Sequence, residues 1–406
     1  HGFGDFGPRI DNRSPHLHWL RLARQDRSIP SYENWSMATV MARNGRFQPP
    51  GDSDPYSYGY HFDAGLYAAY LREYAQARGV TRIEATIGDV ELRPDDGYIA
   101  AVKLQDGRRI DGDLFIDCSG FRGLLIEGVL RAGYEDWSNY LPCNSALAVP
   151  CARVDKLTPY TMSTAKAAGW LWRIPLQHRT GNGHVYSSHF TSDDEAARVL
   201  LAGLDGEALD EPRQLRFVTG RRRFSWLKNC VAIGLSAGFV EPLESTSISL
   251  IENAVGKLIE YFPDRDFAPG LAREFNRYMG QRYESVRDFI ILHYKLTSRD
   301  DSEFWRHCAA MPIPDSLQHQ IALFRESGRV AIHDRDGFLE PSFVSMLLGL
   351  NVVPRSDEPF VSLLDRDALQ RHMAALRAHV IATVTDMPDH DDYIARTIAT
   401  PSATSR

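Results

Sequence analysis

Cysteine is scarce in this 406-residue chain: Cys118, Cys143, Cys151, Cys230 and Cys308 are odd in number and show no C-x-x-C spacing. That argues against a disulfide-stapled scaffold or a structural zinc site and points to a reduced, cytoplasmic setting. Lysine is missing altogether before Lys103. No apolar run approaches the length of a membrane span, and nothing at the start reads as a signal peptide, so no membrane partner is expected. Positive charge is in deficit, with 46 Lys and Arg against 53 Asp and Glu and a net charge of −7, which argues against a nucleic-acid partner. The densest basic run, Arg221-Arg222-Arg223, reads as a solvated or phosphate-contacting edge of a strand. What is present is ordinary for a globular protein: 43% hydrophobic and 24% charged residues, in a chain longer than one average domain.

Near the start, Gly2-Phe3-Gly4-Asp5-Phe6-Gly7 spells a dinucleotide fingerprint but lacks the strand before it and the helix after it, so it is rejected as a phosphate loop. His16 and His18 are two residues apart, the spacing of one strand face. With no third ligand nearby they read as surface or core histidines. Asp63 is a cap for a helix whose apolar face is Leu66, Tyr67, Tyr70 and Leu71 and which stops near Gly79. A short strand over 80–86 and a meander through 90–92, 99–104 and 113–117 come next, with Asp-Asp-Gly and Gln-Asp-Gly turns. Strands over 146–154, 170–176 and 183–190, with 177–183 as a turn, form a second sheet. Trp170 and Trp172 share one face of their strand and read as a packed pair. Residues 271–294 and 363–384 are long helices, and the tail from Thr397 is expected to fray.

The rest of the chain is organised around residues 231–262. A short apolar strand over 230–233 ends at Gly234. The loop then crowds small residues, Ser236, Ala237 and Gly238, that let backbone approach a ligand. Pro242 breaks the path, and Ser245 or Thr246 is an N-cap for the next helix. Ile248, Ile251, Val255, Leu258, Ile259 and Phe262 recur at helical spacing and define that helix's apolar face. Strand, glycine loop, acidic turn and helix N-terminus together make an anion site, with free N–H groups and the positive dipole end facing outward. Glu244 stands beside it as a carboxylate catalyst. Many such joints carry Gly and Ser for geometry alone, so the pattern by itself leaves the function open.

Gly234-Leu-Ser-Ala-Gly-Phe-Val-Glu-Pro-Leu-Glu-Ser-Thr246 resembles the signature loop of the flavin-dependent, tryptophan-type halogenases. Gly169-Trp-Leu-Trp-Arg-Ile-Pro175 carries that family's Trp-x-Trp-x-Ile-Pro motif, and Asp113-Leu-Phe-Ile-Asp-Cys-Ser-Gly-Phe-Arg-Gly123 is similar to a strand of its flavin module. The resemblance implies an α/β fold: a flavin monooxygenase-like FAD-binding module, a second, mostly antiparallel sheet and a C-terminal helical region. It divides the chain into a substrate-side sheet layer (1–62 and 144–219), the FAD-binding module (63–143 and 220–262) and a helical substrate-pocket region (263–406).

The chemistry implied is FADH2- and O2-dependent conversion of chloride or bromide to hypohalous acid, delivered to an electron-rich arene such as tryptophan or indole. Carried over residue by residue, Glu244 and its neighbour Ser245 are catalytic. Gly234, Leu235, Ser236, Ala237, Gly238, Phe239 and Ile248 bind the cofactor, Leu235 and Ile248 at the flavin ring. The halide is expected at the backbone N–H groups of Thr246 and Ser247, where the family usually has glycine at the second position. The partners implied are a separate flavin reductase and a small aromatic substrate, with a homodimer admitted. The family's catalytic lysine and flavin-diphosphate glycine loop lie before the matched region, so the module is expected to be incomplete at its N-terminus and the chain to begin within a longer protein. Two alternatives stay open: an aromatic hydroxylase of the same fold, and a non-catalytic flavin- or indole-binding relative.

Overall fold

The computed structural model describes residues 4–51, 56–333 and 337–397. Gly2 and Phe3 of the rejected fingerprint, and the tail from 398, lie outside the described residues.

Helix α1 (Pro15–Gln25) opens on a proline in its first turn, where the missing N–H costs nothing. His16 and His18 are core residues as expected, but on a helix, and each bonds a backbone carbonyl: His16 Nε2 that of Gly328 at 2.7 Å, His18 Nε2 that of Ile10 at 3.3 Å. Helix α2 (Met37–Asn44) is capped by Ser36 and closed by Gly45 at φ +63°. Residues 1–62, expected in the sheet layer, therefore contribute helices. The Ser36 cap, the Pro15 start and the apolar spacing of Leu17 and Leu20 favour helix locally.

Helix α3 (Ala64–Gln76) is capped as expected, with Asp63 accepting from the Gly65 and Leu66 amides. Its apolar face is not buried: Leu66, Tyr67, Tyr70 and Leu71 are all exposed. Residues 80–86 pair with no strand and leave Val80 and Ile83 in solvent. The meander begins only at β1 (Ile87–Leu92) and continues through β2 (Ile99–Leu104) and β3 (Arg109–Asp111), all antiparallel. Strand β4 (Phe115–Asp117) leads away from it, and β5 (Tyr134–Asp136) follows.

The second sheet is built from β6 (Ser145–Ala152), β7 (Met162–Lys166), β8 (Gly169–Pro175) and β9 (Arg179–Tyr186), with helix α4 (Asp193–Leu201) packed on β9 and β10 (Arg213–Arg216) at its edge. The order is β10-β6-β9-β8-β7, antiparallel throughout. The glycines expected in a turn over 177–183 lie inside β9. Gly183 sits opposite Trp172, and a Cβ there would come within 2.0 Å of the indole, so packing dictates this glycine.

Strands β11 (Gly220–Arg222), β12 (Trp226–Leu227), β13 (Cys230–Ala232) and β14 (Gly238–Phe239) complete the sheets. β13 pairs antiparallel with β12 and parallel with β4, which forms the edge of that sheet; β11 lies between β14 and β5. The helical part comprises α5 (Ser247–Glu260), α6 (Pro269–Lys295), α7 (Glu303–Ala310), α8 (Asp315–Ser327), α9 (Glu340–Gly349), α10 (Arg366–Asp386) and α11 (His390–Thr397). Helix α6 is the central pillar. Phe275, Phe289, Ile290, Ile291 and Leu292 are fully buried, in one apolar cluster with Trp170 of β8 and Val231 of β13. Helix α10 closes the far side against α1 and α2. Among the described residues no helix is long and apolar enough to cross a membrane, and no group of His, Cys, Asp and Glu could hold a metal ion.

Candidate active site

The loop that leaves β13 is anchored to β4 and to β8. Cys230, Val231 and Ala232 are completely buried, and the chain turns at Gly234 with φ +74°, a conformation that favours glycine. Ser236 is also fully buried. Its hydroxyl, with one proton to give, lies within hydrogen-bond reach of the Asp117 carbonyl of β4 and of that of Ile233, so the side chain fixes the loop to the sheet. Ala237 is buried too, and Gly238 lies against Arg221 in β14, where a Cβ would come within 2.8 Å of the Arg221 Cα. Phe239 is half-buried, with its ring edge-on to Phe121 at 5.4 Å.

Of the residues expected at the cofactor, Leu235 and Ile248 are the exposed pair, flanking the loop on its outer side. Arg223 is exposed, but Arg221 and Arg222 are no solvated edge. Buried Arg222 donates to the Ser236 carbonyl at 3.0 Å and pairs with Glu127 at 3.0 Å, while Arg221 pairs with Glu284 at 2.8 Å and Glu135 at 3.1 Å. These guanidiniums brace the loop from beneath.

The chain next makes a tight 3-10 turn, Pro242–Glu244, and Ser245 follows with φ +55°. An L residue pays roughly 1 kcal/mol for that conformation, so surrounding contacts must hold it. Thr246 occupies the cap position of α5 but, contrary to expectation, its side chain caps nothing. Its Oγ1 is buried without a hydrogen-bond partner among the described residues, next to first-turn amides that have no acceptor within the helix. An orphaned hydroxyl beside free N–H groups suits a small anion, and the helix dipole adds to it. Helix α5 buries Leu250, Ala254 and Leu258. The face expected to be buried, Ile248, Ile251, Val255, Ile259 and Phe262, is exposed apart from Leu258.

Glu244 points to α6, where its Oε1 lies 2.7 Å from His293 Nε2. The other ring nitrogen, Nδ1, faces the Phe289 carbonyl at 3.1 Å. A carbonyl can only accept, so Nδ1 carries a proton. Nε2 is the ring nitrogen that meets the Glu244 carboxyl. Both side chains are about four-fifths covered, at 17% relative exposure. Phe289 adjoins His293, stacks on Phe338 at 3.8 Å and meets Phe343 edge-on at 5.0 Å, giving this side of the site an aromatic wall.

Sequence reasoning missed two participants. His293 lies inside a helical apolar pattern 49 residues from Glu244, and nothing local marks it. Glu241 was passed over although its place between Val240 and Pro242, three residues before Glu244, hinted at burial. It is completely buried and accepts the Trp170 indole N–H at 2.8 Å and the Tyr294 hydroxyl. Trp170 and Trp172 do share a face, their rings 6.1 Å apart, but Trp170 is bonded into the site as well as packed.

The stretches around Asp117 and Trp170 thus both meet the loop over 234–246, through Ser236 and Glu241. The tryptophan halogenase family model matches residues 1–366. Tryptophan 6-halogenase SttH of Streptomyces toxytricini is 36% identical over 368 residues, covering 88% of this chain and 68% of that protein. Tryptophan 7-halogenase RebH of Lentzea aerocolonigenes is 36% identical over 323 residues, covering 75% of this chain and 61% of its own length. Among solved structures, BrvH, a flavin-dependent halogenase from Brevundimonas sp. BAL3, superposes with a TM-score of 0.94 at 44% identity, over 98% of this chain and 82% of that one. The Glu-Ser-Thr turn, the paired tryptophans and the β4 stretch therefore sit in a shared fold, and this chain belongs to the tryptophan halogenase family of flavin-dependent halogenases.

Proposed function

We propose that the protein oxidises chloride or bromide with reduced FAD and O2 and delivers the resulting hypohalous acid to an electron-rich arene beside Glu244. Bound reduced FAD, with O2, supplies the oxidising equivalents that turn the halide into hypohalous acid. The exposed pair Leu235 and Ile248 fits one face of a flat ring. The orphaned Thr246 hydroxyl and the amides of Thr246 and Ser247 fit a halide next to it. Ser245, in its unusual conformation, turns the chain from the acid to the halide position.

The observation that carries the reading is the Glu244–His293 pair. With the proton of that bond on His293, Glu244 is a carboxylate able to orient the oxidant through a hydrogen bond. The same carboxylate then accepts the proton released when halogen replaces hydrogen on the ring and releases it to solvent at the partly open edge of the site. Phe338, half-buried over the buried Phe289 and Phe343, is the ring of this cluster that suits a planar substrate. SttH and RebH are named for tryptophan, and tryptophan, indole or a related arene is the substrate class we assign here. A separate flavin reductase supplies FADH2, and a homodimer is the assembly we expect. The test is halide-dependent product formation with a reductase and an indole. Glu244→Gln should abolish the halogenated product while flavin still binds.

A further inference from the structure

The turn that carries Glu244 is gripped at two points by consecutive residues of α6. His293 meets Glu244 at the end of the turn, and Tyr294 meets Glu241 just before its start. Glu241 is completely buried and binds only neutral donors. Its Oε2 accepts both the Trp170 N–H from β8, at 2.8 Å, and the Tyr294 O–H. The Tyr294 oxygen lies 3.6 Å from Cys143 Sγ, so a thiol–phenol–carboxyl chain runs into the core. Oε1 of Glu241 has no partner among the described residues. A single side-chain atom, Oε2, thus joins sheet, turn and α6.

We propose that Glu241 is a positioning residue for Glu244: by bridging Trp170 of β8 and Tyr294 of α6 it fixes the turn that presents Glu244 to His293. This rests on the reading of Glu244 as the acid–base group, and it adds a condition on protonation. Burial pushes the Glu241 carboxyl up to about 7, against the smaller downward pull of the Tyr294 and Trp170 hydrogen bonds. With its proton on Oε1, Oε2 is a carbonyl oxygen that takes both donors. Without it, an anion with no cation beside it sits in the core and draws water in. The ionisable groups buried in the core with it are moved away from that range. Burial pushes Tyr294 from α6 and Cys143, before β6, well above their ordinary values, and Cys308 from α7 up to about 12. On the outer side of the turn stand Glu244 and His293.

The experiment compares the full-length wild type with Glu241→Gln, which keeps the shape and stays neutral at every pH, and with Glu244→Gln. Between about pH 6 and about pH 8.5 wild-type kcat should fall at least about 3-fold further than that of Glu241→Gln, with KM little changed, any fall common to both belonging to the Glu244–His293 pair. Infrared difference spectra of wild type minus Glu241→Gln should show a protonated carboxyl band that fades as pH rises through about 7. The His293 imidazole NMR signals should shift further over the same window in wild type than in Glu241→Gln. Superimposable pH profiles, or no carboxyl band in acid, would overturn the proposal. If no variant halogenates, the functional reading fails, and the His293 signals still decide whether Glu241 sets the Glu244–His293 geometry: an equal shift in both proteins counts against it.

Discussion

Two carboxylates three residues apart have opposite environments, and the difference assigns their work. Glu244 is bound to an imidazole at a partly open edge, while Glu241 is sealed in the core against neutral donors. Removing the charge at Glu244 with Gln should cost at least about 100-fold in halogenation rate, within the usual range for a positioned acid–base group, and leave flavin affinity within about 2-fold. Single-turnover product formation with chemically reduced flavin checks it. For Glu241 the prediction concerns stability. Its carboxyl ionises near its ordinary 4.5 in the unfolded chain but at about 7 in the fold, so folding takes up a proton between those values. Wild-type stability is therefore highest, relative to Glu241→Gln, below about pH 4.5. It should fall by on the order of 3 kcal/mol as pH rises to about 7 and then level off. Urea unfolding across that range measures it, and parallel curves for the two proteins would contradict it.

At the scale of elements, the α5 N-terminus combines free amides with the buried, unpartnered Thr246 hydroxyl. Thr246→Val keeps the shape and deletes that hydroxyl. Without halide the variant should be as stable as wild type or more so, by up to about 1 kcal/mol, since an unsatisfied buried polar atom is removed. Its half-saturating bromide concentration should rise about 2- to 5-fold, the size expected of one lost contact at an exposed helix end. Calorimetric melts with and without bromide read both effects, and an unchanged bromide response would remove Thr246 from the halide site. The elements around this site were mostly legible in the sequence. Asp63 capped α3, Asp-Gly turns punctuated the meander, and the run Cys230–Ala232 was the strand it resembled. What failed did so for tertiary reasons. Glycines 181 and 183 looked like a turn because nothing local announces that Trp172 lies across the neighbouring strand. Helix α5 has apolar residues on two faces, and only packing against α6 decides that Leu250, Ala254 and Leu258 go inward. His293 was invisible for the same reason: its role exists only once α6 passes behind the turn.

For the whole molecule, α3 leaves Leu66 and Tyr70 in solvent, α5 leaves Ile259, the segment after it leaves Phe262, and the edge strand β4 exposes Ile116. Ile259→Lys, at a side chain 70% exposed, should change stability by less than about 0.5 kcal/mol while reducing binding of a hydrophobic dye such as ANS. A large loss of stability would mean that this face is packed in solution. Whether the Glu244–His293 turn halogenates an arene is tested most directly by one measurement: the mass of the product formed from indole by the full-length protein with a flavin reductase, NADH, oxygen and bromide. The expected product is monobrominated and bears the isotope doublet of one bromine, absent without bromide and absent in Glu244→Gln. A hydroxylated indole that forms with or without bromide, or a brominated one undiminished in Glu244→Gln, would contradict it.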